Sequence, residues 1–279
     1  MRRLLALKNS SKKWLSSPYI VWSAAFIIIP LCMVFYYGFT DQSGAVTLSN
    51  VLAMFSLEHR KALLLSMLLS LISTVLCILL AYPLAMILAN RNVSRNSFIV
   101  LIFILPMWMN FLLRTLAWQT LLEKNGVINS ILTWLHLPSL AIINTPYAII
   151  LGMVYNFLPF MVLPIYNSLS KIDRDVINAA RDLGANGIQT FLKIILPLSL
   201  PGVISGITMV FIPALTTFVI SNLLGGSKIL LIGNVIEQEF TQTGNWHLGS
   251  GLSIVLMIFI IISIVISTIT DKEGDGSVL

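Results

Sequence analysis

This sequence carries little charge. Only 10% of its 279 residues are Asp, Glu, Lys or Arg, while 57% are hydrophobic and the mean hydropathy is +0.92. A soluble domain carries roughly a quarter charged residues, and a chain this poor in them could not hide its apolar surface from water. The scarcity is absolute for acids in six blocks: Pro18 to Gly38, Ala62 to Ala89, Phe98 to Leu122, Thr145 to Leu169, Leu198 to Leu224 and Leu248 to Ile269 contain no Asp or Glu. Each block can cross a hydrocarbon core, which needs about 20 residues of helix at roughly 1.5 Å rise per residue. The short alternating segments of a membrane β-barrel are also missing, so backbone groups must be satisfied within helices. The sequence predicts an all-α, polytopic membrane protein with six transmembrane helices.

Other absences remove classes of chemistry. No G-x-x-x-x-G-K-[ST] phosphate loop occurs, and "GGSK" at 225–228 lacks the spacing to cradle phosphates. His59, His136 and His247 are scattered over different loops, and no His/Asp/Glu set has metal or hydrolytic spacing. The chain is therefore expected to be no enzyme and to bind no metal or cofactor of its own. Its two cysteines, Cys32 and Cys77, lie in predicted spans and read as packing residues rather than a disulfide or metal pair. Proton-coupled carriers generally place carboxylates in the membrane, which argues against a stand-alone secondary carrier.

The basic residues give an orientation. With a cytoplasmic N-terminus, the inner segments hold Arg2, Arg3, Lys8, Lys12, Lys13, Arg91, Arg95, Lys171, Arg174, Arg181, Lys193 and Lys272; the outer loops hold Arg60, Lys61, Lys124 and Lys228. This bias places both termini in the cytoplasm. It also accounts for the net charge of +6 without nucleic acid. A cleaved signal peptide is disfavoured because the first apolar run is too long and no small-residue cleavage site follows it. A lipoprotein is disfavoured because Leu31 stands before Cys32 where a small residue is expected. The expected organisation is a cytoplasmic segment over 1–17, a membrane domain over 18–269 and a cytoplasmic tail over 270–279.

One cytoplasmic connection, 170–197, is long enough to carry structure of its own, and long ordered loops usually have a function. Asp173 is placed to cap a helix starting at Arg174, and Gly184 to end it in a positive φ. Between them Val176, Ile177, Ala180 and Leu183 fall at helical spacing on one side, with Arg174, Asp175, Asn178, Arg181 and Asp182 around the rest. A second short helix is expected over Ile188 to Ile195, with Pro197 starting the next span. Small Ala179 and Ala180 would let a partner surface approach closely, so the segment can act as a lever.

The stretch "NAARDLGANGIQTFLKIILP", 178–197, resembles the EAA loop of permease subunits in binding-protein-dependent ABC importers. Ala179, Ala180, Gly184, Ile194, Leu196 and Pro197 match that pattern at its spacing, and Asn178 stands where Glu is usual. Arg181 and Asp182 lie within the same segment. Over nearly the whole chain, "ILPMWMNFLLRTLAW", "YNFLPFMVLPIYNSLSKID", "AARDLGA" and "LLGGSKILLIGNVI" are similar to permeases of spermidine/putrescine importers. The resemblance implies the MetI-like permease fold in a bacterial cytoplasmic membrane. It also implies a homologous second permease, two copies of an ABC ATPase that use ATP-Mg, and an extracytoplasmic polyamine-binding protein. Related permeases carry other small solutes, which remain the alternative. The replacement of Glu by Asn178 implies hydrogen bonding to the ATPase without a charge pair.

A polycation crossing carboxylate-free helices needs other compensation. Aromatic faces and amide oxygens can supply it, which makes Trp108, Asn110, Tyr155, Asn156 and Phe160 candidate pathway residues, with ordinary helix packing as the alternative. Arg114, the one ionisable residue well inside a span, is expected to be structural or part of a gate. Glu237 and Glu239, in the last outer loop, are candidate contacts for substrate or binding protein, or a solvated face. Gly225 and Gly226 with "SKILLIGNVI" suggest a re-entrant turn and short helix.

Overall fold

The computed structural model describes residues 17–89, 105–226 and 228–276. The basic N-terminal residues 1–16, the loop "NRNVSRNS" and the first part of the expected third span, 98–104, lie outside the described residues. In chain order the helices are α1 (Pro18–Gly38), α2 (Leu57–Ala89), α3 (Phe111–Leu122), α4 (Val127–Trp134), α5 (Pro146–Ser170), α6 (Arg174–Asp182) and α7 (Gly187–Thr216). They are followed by α8 (Val219–Leu224), α9 (Ile232–Thr241) and α10 (Trp246–Gly276). Among the described residues the only β pairing is one isolated bridge, Thr40 with Val46.

Five of these helices are long and apolar enough to cross a membrane: α1, α2, α5, α7 and α10 over Trp246–Ile269. The expected third span differs. A 3-10 turn at Leu105–Trp108 is followed by a break, and a new helix starts at Phe111, because the Asn110 side chain accepts from the Leu112 and Leu113 amides. An asparagine that caps is a helix start rather than a helix interior. The expected fifth span is displaced as well. It begins at Gly187 and ends at Thr216, and Val219–Leu224 is a separate helix rather than the end of the span.

The chain forms two compact units. One is Met1–Ser56 with Ile236–Ile258; the other is Leu57–Val235 with Phe259–Leu279. In the first, α1 is apolar on every side and none of its most hydrophobic stretch is buried. Cys32 lies exposed on it, contrary to the packing role expected. The end of α1 is tied down by His247, whose Nδ1 lies 2.6 Å from the Thr40 carbonyl and 3.1 Å from that of Tyr37. Carbonyls only accept, so this nitrogen carries the proton. Asn50 Nδ2 donates to the same Thr40 oxygen at 2.9 Å.

The second unit holds the core, built mainly from α2, α5 and α7. Lipid tails are as apolar as leucine, so helices in a membrane are held by close packing and interhelical hydrogen bonds rather than by hydrophobic burial. The packing follows that rule. A Cβ added at Gly202 of α7 would lie 2.6 Å from the Pro164 carbonyl oxygen of α5, and one at Gly206 would lie 2.5 Å from Met161 Sδ. Tyr82 of α2 and Ser199 of α7 share a hydrogen bond of 2.7 Å. Ser66, Ser70 and Thr74 return their hydroxyls to carbonyls one turn back in α2, which satisfies polar groups that lipid could not. Cys77 is fully buried in this core, as expected for a packing residue.

Gly202→Val should therefore lower stability by about 1–3 kcal/mol, as overpacked cores do. Gly187→Ala, where an added Cβ meets nothing within 4 Å, should be neutral. Thermal aggregation of the detergent-extracted protein, read at equal expression, distinguishes the two.

Candidate functional site

The segment from Asp173 to Pro197 folds as two helices joined by a sharp turn, and local chemistry explains each end. Asp173 Oδ1 accepts from the Asp175 amide at 3.0 Å and starts α6. The stop is Gly184 at φ +86°. Its amide bonds the Arg181 carbonyl, while the Ala185 amide reaches back to Ala180. This pair of bonds is a Schellman closure, which needs a left-handed residue in that position. Asn186 and Gln189 then exchange side-chain and backbone hydrogen bonds, 2.8 and 2.9 Å, in a capping box that opens α7.

The two faces of α6 differ from the single apolar side expected. Ala180 is buried and Ile177 partly so, but Val176 and Leu183 are turned outward, Leu183 being 89% exposed. Asp175, Ala179 and Asp182 are exposed with them. The stripe Arg174, Ile177, Asn178 and Arg181 instead borders a cavity beneath the helix. The Asn178 side-chain amide makes no hydrogen bond among the described residues and lies on the cavity side of α6.

Pro197 stands in the first turn of the α-helical run Leu196–Thr216, but that run does not begin a separate helix. It lies within α7, just after a π-turn over Phe191–Ile195. Proline lacks an N–H and its ring crowds the carbonyl four residues back; the wider turn accommodates both, and the helix runs on unbroken from the loop to Thr216. Ile194 and Leu196 are half-buried on either side of Ile195, and Phe191 meets the Tyr82 ring edge-on at 5.7 Å. The loop is thus joined mechanically to the core.

The candidate pathway residues do not form one cluster. Trp108 is 78% exposed, and Asn110 is the cap of α3. Tyr155 packs edge-on against Trp118 at 5.2 Å, and Phe160 is half-exposed. Asn156 is buried: its Nδ2 donates to the Gly152 carbonyl at 2.9 Å and lies 3.5 Å from Thr115 Oγ1, while its Oδ1 has no partner among the described residues. Arg114, next to Thr115 on α3, is also buried, with an unpartnered Nε. The Glu237 and Glu239 carboxylates, half-buried on α9, accept from Thr241 and Thr243 one turn on. The turn and short helix expected after Gly225 are present, and Asn234 anchors them through Leu231 N, the Phe218 carbonyl and Asn222.

Residues 81–272 match the family described as binding-protein-dependent transport system inner membrane component. The chain belongs to that family. Its members are transport permease subunits, not catalysts, and this chain is a multi-pass bacterial inner-membrane protein. It is 36% identical over 245 residues to the spermidine/putrescine transport system permease protein PotB of Haemophilus influenzae, covering 85% of this chain and 86% of that one. It is 38% identical over 245 residues to the protein of the same name from Escherichia coli, covering 85% and 89%.

Among solved structures it is similar in fold to the bacterial alginate ABC transporter in complex with alginate pentasaccharide-bound periplasmic protein. That match has a TM-score of 0.73 and 17% identity over 93% of this chain and 94% of that one. The inward-facing MetNI methionine ABC transporter matches at 0.54, with 17% identity, over 77% and 94%. The fold is thus MetI-like, as the loop motif implied.

Sequence reasoning missed Phe191, Tyr82 and Ser199, which link the loop to the core; for Tyr82 and Ser199 a lone polar group in an apolar helix was the available signal. At Gly184 the surrounding space is open, so backbone conformation rather than bulk is the constraint. Gly184→Val should cost about 1–3 kcal/mol of local strain and impair transport, whereas Gly184→Asn, which tolerates positive φ, should retain most of it. Equal uptake in both variants would remove the turn from the mechanism.

Proposed function

We propose that this chain is a transmembrane subunit of an ATP-driven importer of spermidine and putrescine. The carrying observation is 36–38% identity, over 85% of the chain, to permeases of that named function. In this reading both termini and α6 are cytoplasmic, and a homologous second permease completes the pathway. An extracytoplasmic binding protein delivers the polyamine. Two ATPase copies bind ATP-Mg, so the chain itself holds no nucleotide.

The outward face of α6 supports the coupling role. Val176, Ala179 and Leu183 are exposed there between Asp175 and Asp182, a small apolar patch with an acidic rim suited to a groove on an ATPase. Closure of the ATPases around ATP would push α6, and the continuous α7 would carry the displacement into the core. Apart from Glu58 in the first turn of α2, the described spans hold no Asp or Glu, which leaves ammonium groups to amides and aromatic rings. Asn156 Oδ1, buried and unpaired, is one acceptor of the right kind. Charge compensation beyond that comes from the second permease.

Labelled spermidine uptake should disappear when the chain is deleted and return in an ATP-dependent way when it is restored. Uptake that resists ATP depletion would favour a secondary carrier, and restored transport of another solute alone would overturn the polyamine assignment. Leu183→Asp should release the ATPase on co-purification and cut uptake at least about tenfold, since burying a leucine is worth roughly 1.5–3 kcal/mol.

A further inference from the structure

The cavity beneath α6 has an opposite character to the face above it. It measures about 290 Å³ and lies where α2 and α5 end, at Ala89 and Ser170. Met86, Ile172 and Ile195 give it apolar walls, and Arg174, Asn178 and Arg181, on successive turns of α6, give it a polar roof. Among the described residues neither guanidinium is paired with a carboxylate, and Asp175 and Asp182 do not line the cavity. Two unpaired cations and one free amide facing a half-apolar space call for an anionic, amphiphilic occupant. We propose that this cavity binds the phosphate headgroup of an anionic phospholipid, with the glycerol and upper acyl chain lying against Met86, Ile172 and Ile195.

Depth favours a lipid over a dissolved anion. The helices that bound the cavity have 33 and 25 residues, and a 25-residue helix is about 37 Å long, against a hydrocarbon core of about 30 Å. Their ends therefore lie at headgroup level. Free phosphate would satisfy the arginines but leave the apolar walls wet, whereas a headgroup covers both. Basic pockets between membrane helices on the cytoplasmic side are a recurrent mode of headgroup binding. The proposal rests on the cytoplasmic placement of α6 but not on the identity of the transported solute. A lipid held there touches the coupling helix and the ends of α2 and α5 together, so membrane composition would alter how firmly the lever is braced.

The test uses the full chain, with whatever subunits accompany it, in phosphatidylcholine nanodiscs containing a photoreactive phosphatidylglycerol; only monodisperse particles are scored. Labelling is expected on 169–195, with apparent affinity lowered about thirty-fold in Arg174→Gln/Arg181→Gln, from the usual surface value of each basic residue. It should be restored by Arg174→Lys/Arg181→Lys. Ile172→Trp, which fills the space without touching either charge, should also lower it. Equal labelling in the wild type and the glutamine variant, or no labelling of 169–195, would overturn the proposal. Suppression of the label by millimolar inorganic phosphate would overturn it too, by assigning the site to a free anion. Uptake of spermidine does not enter the readout, so failure here leaves the transport reading separately testable.

Discussion

Everything downstream of the loop depends on how closely α7 approaches α5. Inside a membrane no water drives helices together, so the contact must come from atoms that fit. Gly202 and Gly206 bring α7 against Pro164, Ser168 and Met161 with no space for a methyl group. The Tyr82–Ser199 hydrogen bond adds α2 to the same contact. That three-way junction sits about one to three turns beyond the π-turn, and it is what turns α7 from a helix that merely continues the loop into one that can load the core.

The junction also explains why the loop can be small. Only nine residues form α6, too few for a stable isolated helix in water. Its order is supplied from outside the helix: an aspartate cap, a left-handed glycine, a buried Ala180 and the capping box of the next helix. With stability drawn from its ends and its underside, the outward face is free to carry Val176 and Leu183 exposed, an arrangement that costs a membrane-surface helix little and suits recognition.

Much of this was legible in the residues. The absence of acids from apolar blocks specified the class, and Asp173, Gly184 and the fixed gaps of the Ala179–Pro197 pattern placed the loop. What could not be read was how local preferences would be overridden. Asn110 sits inside an apolar run, where hydropathy counts it as one weak residue among many, yet its side chain starts a new helix. Pro197 reads as a helix start, but a π-turn absorbs it. Val176 and Leu183 share a hydropathy with Ile177, and only the tertiary setting of α6 decides which of them is partly buried. The candidate pathway residues scattered for a related reason: aromatic and amide side chains in a span serve packing, capping or exposure according to neighbours that lie far away in sequence.

The π-turn at Phe191–Ile195 sets a phase as well as a path. A π-turn accommodates one residue more than the α ladder would, and each residue turns an α-helix by about 100°. The azimuth at which everything before Phe191 leaves the membrane helix is therefore fixed by a single inserted residue. A one-residue insertion or deletion here would re-aim that face without altering either the face or the core.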